Sequence, residues 1–197
     1  MGARSHYLIL DHIDNLSGSI VEIGCGRGEG STDFYAGLVA GIDRFQHHAI
    51  DFDSEPYQVA ANYASKIIRS HAHCMTGEKF LQEVFPGLGE KICYAYLDNF
   101  DFNYDPANPP WWVNEQIKRY AQYGIEMTNA NSELAHLTQA QLIIPYAAPK
   151  CIIQFDDTFK NHGNGYNGKG GSAVPYLQNA GWTVIHESGG SVSLSNF

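Results

Sequence analysis

The chain has 197 residues, 44% of them apolar and 17% charged, which are globular values and exclude a disordered chain. Its formal charge is −9 with no basic run, which argues against a nucleic-acid partner and suits a cationic cofactor or a divalent metal. There is no signal-peptide pattern and no run of about 18 apolar residues, and Cys25, Cys74, Cys93 and Cys151 have no CxxC spacing, so a reduced, cytoplasmic protein that avoids membranes is expected.

Tyr7–Leu16 has roughly helical spacing and ends at Ser17-Gly18. Ser19–Ile23 reads as a buried strand, followed by a glycine-rich turn and a helix from Ser31 to about Val39. A second strand is expected at His47–Phe52, and Glu55-Pro56 opens a helix over Tyr57–Arg69. The third strand is His71–Met75, and Thr76-Gly77-Glu78 begins a helix that reaches Phe85. Ile92–Leu97 is the fourth strand and ends in Asp98. The residues from about 100 to 131 are more than a crossover needs and read as an inserted segment, with one helix at Asn114–Tyr123. Its Phe100, Phe102, Tyr104, Trp111 and Trp112 suit either an apolar substrate wall or a satellite core or subunit contact, so a homodimer stays open. Asn131–Tyr146 is the next helix and Cys151–Phe155 the fifth strand. A polar loop over Asn161–Gly171 and a helix over Ser172–Asn179 lead to a hairpin, Trp182–Glu187 and Ser191–Phe197, around Ser188-Gly189-Gly190. Alternating strands and helices of this kind make one α/β domain over residues 1–197, with a parallel sheet and a terminal antiparallel pair.

The turn after the first strand reads Glu22, Gly24, Gly26, Gly28 at alternate positions. The dinucleotide pattern G-x-G-x-x-G fails in both registers, because Glu29 and Ser31 stand where glycine is needed. Glu29 and Asp33 also make an acidic helix start that a pyrophosphate would disfavour. The acid-x-Gly-x-Gly-x-Gly pattern resembles motif I of the class I S-adenosylmethionine (SAM)-dependent methyltransferases. That resemblance implies a Rossmann-like sheet in the order 3-2-1-4-5-7-6. It implies a SAM site made by Glu22, Gly24, Cys25, Gly26, Gly28 and Ser31, by Asp51 and Phe52 at the ribose, by Met75 and Thr76 at the adenine, and by Asp98 and Asn99. Asp51 is the expected ribose ligand and Asp53 the expected helix cap.

A second group lies at the ends of strands four and five. Neighbouring parallel strands are about 4.8 Å apart, so Asp98, Asp156 and Asp157 can converge on one hard cation such as Mg²⁺. The triplet is similar to the acids of the catechol and sugar O-methyltransferases, and the resemblance implies a metal that binds two acceptor oxygens and acidifies a hydroxyl. The lysine those enzymes place three residues after the first Asp is here Asp101. The proton is then left to the metal alone, to Asp101, or to a histidine, His162 before His136. Phe155-Asp-Asp-Thr, Gly168-Lys-Gly, Val174-Pro-Tyr-Leu and Gly181-Trp are also similar to small bacterial class I methyltransferases of uncharacterised substrate. The expected activity is methyl transfer from SAM to an oxygen of a small molecule or sugar. The alternatives are a metal-independent enzyme acting on nitrogen or carbon, and a non-catalytic binding protein with this fold.

Overall fold

A computed structural model describes residues 5–26, 30–163 and 165–197. Its main sheet has seven strands: β1 (Gly18–Ile23), β2 (Phe45–Asp51), β3 (Ser70–Cys74), β4 (Ile92–Leu97), β5 (Ala147–Phe155), β8 (Thr183–Ser188) and β9 (Ser191–Ser195). Their order is β3-β2-β1-β4-β5-β9-β8, which is the expected topology. The first five strands are parallel, and β9 enters antiparallel beside β5. β4 reads Ile-Cys-Tyr-Ala-Tyr-Leu and is buried along its whole length, as a central parallel strand covered on both faces should be.

Alternate strand residues feed two cores. Val21, Ile23, Ala95, Leu97, Ile153 and Phe155 pack on one face, under α5 (Asn129–Ile143) and α6 (Ala173–Asn179). Ile20, Tyr94, Tyr96 and Ile152 pack on the other, with Tyr35 and Val39 of α1 (Ser31–Gly41) and Ile9 of a 3-10 helix, Ser5–Asn15. Pairing Ile23 with Ile50 and Leu97, and Leu97 with Phe155, aligns the strand ends. Gly24, Asp51, Asp98 and Asp156 therefore lie along one carboxyl edge, where open α/β sheets bind ligands.

Several boundaries differ from the sequence expectations. Asp53 caps α2 (Ser54–Ala64) so firmly that the helix starts three residues before Tyr57. The helix after β3 is one short α-turn, α3 (Gly77–Lys79), that continues as a π-turn, Phe80–Val84. Most of the expected polar loop after β5 is an antiparallel hairpin, β6 (Thr158–Lys160) with β7 (Tyr166–Gly168). In the inserted segment α4 spans Trp111–Ala121. Phe100, Val113, Tyr120 and Met127 form a satellite core there, with Phe52 and Trp112 packed against it, whereas Trp111 is 80% exposed. No described helix is long and apolar enough to cross a membrane.

Candidate active site

The glycine turn leaves β1 with Gly24 at φ 96° and Gly26 at φ 71°, in the left-handed region that a side chain resists. A Cβ on Gly24 would overlap the Asp98–Asn99 backbone, and one on Gly26 would overlap the Pro56 carbonyl. The chain's own backbone thus demands both glycines, because the turn is pressed against the tip of β4 and the start of α2. Gly28 lies outside the described residues. The Cys25 side chain is buried with Ala49 and Ala60. Ser31 is buried as the first residue of α1.

Glu22 is fully buried, and its two oxygens are both engaged. Oε1 accepts from the Thr32 hydroxyl at 3.1 Å, and Oε2 lies 3.2 Å from His47 Nε2. Thr32 Oγ1 in turn accepts from the Gly26 N–H at 2.8 Å. A carboxylate only accepts, so His47 Nε2 donates to Glu22, and His47 Nδ1 lies 3.0 Å from Ser70 Oγ. A Ser70–His47–Glu22–Thr32–Gly26 chain therefore braces the turn from within. Glu22 thus engages the chain's own Thr32 and His47 and sets the shape of the loop that follows β1.

Asp51 is buried at the end of β2, where its Oδ1 accepts from Asp53 N at 2.9 Å. Asp53 is the cap, accepting from Glu55 N at 3.0 Å. Burial acts to raise its pKa, but hydrogen bonds from Arg119 and Glu55 N outweigh this and hold it below the usual value. Arg119 belongs to α4 and also pairs with Glu55 at 2.8 Å, while Tyr123 donates to Asp53 at 3.1 Å. The Phe52 ring meets Tyr120 and Tyr123 at 5.0 and 5.2 Å between centroids. These contacts fasten the inserted segment over the β2 end of the site.

Beneath that cover is a cavity of about 390 Å³ lined by Phe52, Thr76, Asn99, Phe100, Ile125 and Leu134, among others. Phe52, Thr76 and Asn99 come from the ends of three different strands and meet here as the sequence suggested. Met75 instead packs against the main core. Asn99 is 7% exposed, and its Oδ1 has no hydrogen-bond partner. A buried acceptor left unpaired costs stability unless a ligand donor satisfies it. An aromatic face, a threonine and a lone acceptor in a space of this size fit the adenosine part of SAM.

The acid cluster departs from expectation. Lys169, 2% exposed, reaches Asp98 Oδ1 at 2.6 Å, the Asp98 carbonyl at 3.2 Å and Asp157 Oδ2 at 3.1 Å. Burial opposes its charge, but the Asp98 and Asp157 carboxylates, with Asp101 beyond them, hold its pKa well above the usual lysine value. Asp156 accepts from the Tyr96 hydroxyl at 2.7 Å. Burial first, and then the Asp98 charge, raise its pKa. Among the described residues no three His, Cys, Asp or Glu side chains are grouped to hold a metal ion. The donor set therefore does not fit the expected Mg²⁺: an ammonium stands between two of the three carboxylates assigned to it.

The expected bases are also relocated. Asp101 sits in the inserted segment, its N–H donating to the Tyr120 hydroxyl at 2.9 Å. His162 is exposed in the turn between β6 and β7, at the far end of the hairpin whose near end carries Lys169. His136 is fully buried on α5, with Nδ1 2.7 Å from the Ser132 carbonyl. Burial and then the Lys169 charge push its pKa down to about 3, so it is a neutral core histidine. Lys169 and Arg119 received no role from the sequence. The Gly168-Lys-Gly spacing was the available signal for the first: Gly168, at φ 91°, packs its Cα where a Cβ would overlap the Asp157 carbonyl.

No family model matches the chain, and no curated protein matches it. Solved structures do. The N-methyltransferase NodS from Bradyrhizobium japonicum WM9 is 11% identical with a TM-score of 0.52, over 97% of this chain and 93% of its own. SMU.1697c from Streptococcus mutans, in complex with SAH, is 12% identical with a TM-score of 0.52, over 99% of both chains. The O-methyltransferase NovP is 11% identical with a TM-score of 0.57, over 96% of this chain and 76% of its own. The chain thus has the Rossmann-like fold of SAM-dependent methyltransferases.

Proposed function

We propose that this protein transfers a methyl group from SAM to a small-molecule acceptor. The observation that carries the reading is the cavity at the ends of β2, β3 and β4, where Asn99, its buried Oδ1 without a partner, meets Phe52 and Thr76. When bound, SAM supplies an electrophilic methyl group on a positively charged sulfur. In this reading the glycine turn lies along the amino-acid part, Asp51 accepts from the ribose hydroxyls, and Asn99 accepts from a donor on the adenosine. The inserted segment, fastened through Arg119, keeps water from the cofactor. The acceptor approaches from the Asp98 side, where alignment of the two reactants contributes most of the rate.

The acceptor atom is an oxygen in the first reading, since the carboxylates of Asp98 and Asp156 suit a hydroxyl donor. A second reading, an amine acceptor, is favoured by charge. Asp98, Asp101, Asp156 and Asp157 outnumber Lys169, which attracts a cationic amine. The test is to incubate the protein with SAM and matched panels of hydroxyl and amine compounds, and to measure S-adenosylhomocysteine (SAH) by chromatography. Acceptor-dependent SAH supports the enzyme and names its class. Tight SAH binding with no turnover on either panel points to a non-catalytic binding protein, and no SAM or SAH binding refutes the reading.

A further inference from the structure

Lys169 is the one charge in the acid cluster that the proposed reaction leaves without a task. Lysine is almost never fully buried unless it is paired. This one is delivered by a dedicated piece of chain. Thr158 N donates to the Gly190 carbonyl, seating β6 beside the β8–β9 turn, and Lys169 N donates to the Asp157 carbonyl at 3.1 Å. Gly170 N is held by Thr158 Oγ1 at 2.8 Å, and that hydroxyl donates to the Asp156 carbonyl at 2.9 Å. The hairpin therefore folds back on the tip of β5 and directs its final side chain across to the tip of β4. There the ammonium donates to Asp98 Oδ1 and the Asp98 carbonyl and forms an ion pair with Asp157 Oδ2. Asp157, which makes this contact, sits at φ 47°, in the left-handed region.

The carboxylates at the ends of β4 and β5 converge on one positive centre, as a metal site would have them do, but that centre is part of the chain. We propose that Lys169 is a built-in cation that replaces a divalent metal: its ammonium fixes Asp98 between the glycine turn and the acceptor side, so that the site is ordered without a bound ion. It is a positioning residue, acting through Asp98, whose backbone abuts Gly24 on one side and whose carboxylate meets Lys169 on the other. The inference rests on the methyltransferase reading only for what the ordered site is used for; the cation itself is independent of it.

The test is Mn²⁺ binding, followed by electron paramagnetic resonance, in the wild-type chain, Lys169→Ala and Lys169→Ala/Asp98→Asn. The wild-type chain is expected to leave the free Mn²⁺ signal unchanged. Lys169→Ala exposes two carboxylates to each other and is expected to gain a Mn²⁺ site, which the added Asp98→Asn removes. A purely structural lysine would not be exchanged for a metal in this way. If Lys169→Ala does not fold, Lys169→Met keeps the apolar stem and carries the same comparison. A wild-type Mn²⁺ site abolished by Asp98→Asn alone overturns the proposal, as does a folded Lys169 variant that gains no site. A chain that gives the expected Mn²⁺ results yet binds no SAM refutes the methyltransferase reading and leaves the cation standing.

Discussion

Replacing Thr32 by valine keeps the side chain's shape and removes the hydroxyl that joins the glycine turn to Glu22. Two hydrogen bonds are lost, the 2.8 Å bond from Gly26 N and the 3.1 Å bond to Glu22 Oε1. Each is worth about 1 kcal/mol net, rather more for the one to a carboxylate, and a buried Glu22 oxygen left unpaired adds a desolvation cost. The sum is about 2–4 kcal/mol. In a chain of this size that lowers Tm by roughly 5–12 °C. Differential scanning calorimetry of Thr32→Val against wild type reads it directly. SAM affinity should fall as well, because the turn proposed to lie along SAM loses its inner brace. If Glu22 instead contacts the ligand directly, Thr32→Val leaves both quantities nearly untouched. A Tm within about 2 °C of wild type would refute the bracing argument.

Asn99→Leu should remove an unpaired buried acceptor from the cavity wall, so Tm holds or rises while SAH affinity, by isothermal titration, drops at least about tenfold; a parallel loss of both would contradict the ligand role. Arg119→Ala should release the inserted segment from Asp53 and Glu55, raising the SAM dissociation rate by roughly 3–10-fold in stopped flow, with a modest fall in Tm because the buried Asp53 carboxylate loses its partner. Stability should fall as pH drops from about 6.5 toward 4. Burial holds His48 and His73 at about 4 and His136 at about 3, below the usual 6.5, so they stay neutral in the folded chain while the unfolded chain takes up protons. Urea titrations should show His136→Leu losing less than wild type over that window, by on the order of 1–3 kcal/mol; an identical slope would rule out His136 as a contributor.

The parts of this molecule that the sequence made legible are those governed by local pattern. Buried runs such as Ile92–Leu97 announce central strands, and the hairpin at Ser188-Gly189-Gly190 announces the antiparallel end of the sheet. The shared edge of Gly24, Asp51, Asp98 and Asp156 follows from placing each just after a strand. What was not legible depends on contacts across long separations. The bracing of Glu22 is one such case: nothing nearby in sequence reveals that Thr32 and His47 engage both its oxygens. Three acids at two strand tips suggested a metal, since a cation arriving 71 positions after Asp98 leaves no periodic trace. The aromatics of the inserted segment carry two readings, and the structure divides them: Phe100 and Trp112 join the satellite core, Phe100 also lines the cavity, and Trp111 is exposed.

Isothermal titration of SAM into the wild-type chain and Asp51→Ala decides whether the glycine-turn edge binds SAM. A single site is expected in the wild-type chain, indifferent to added Mg²⁺, with affinity reduced at least about tenfold in Asp51→Ala. No heat of binding for SAM or SAH in a folded wild-type chain would contradict it.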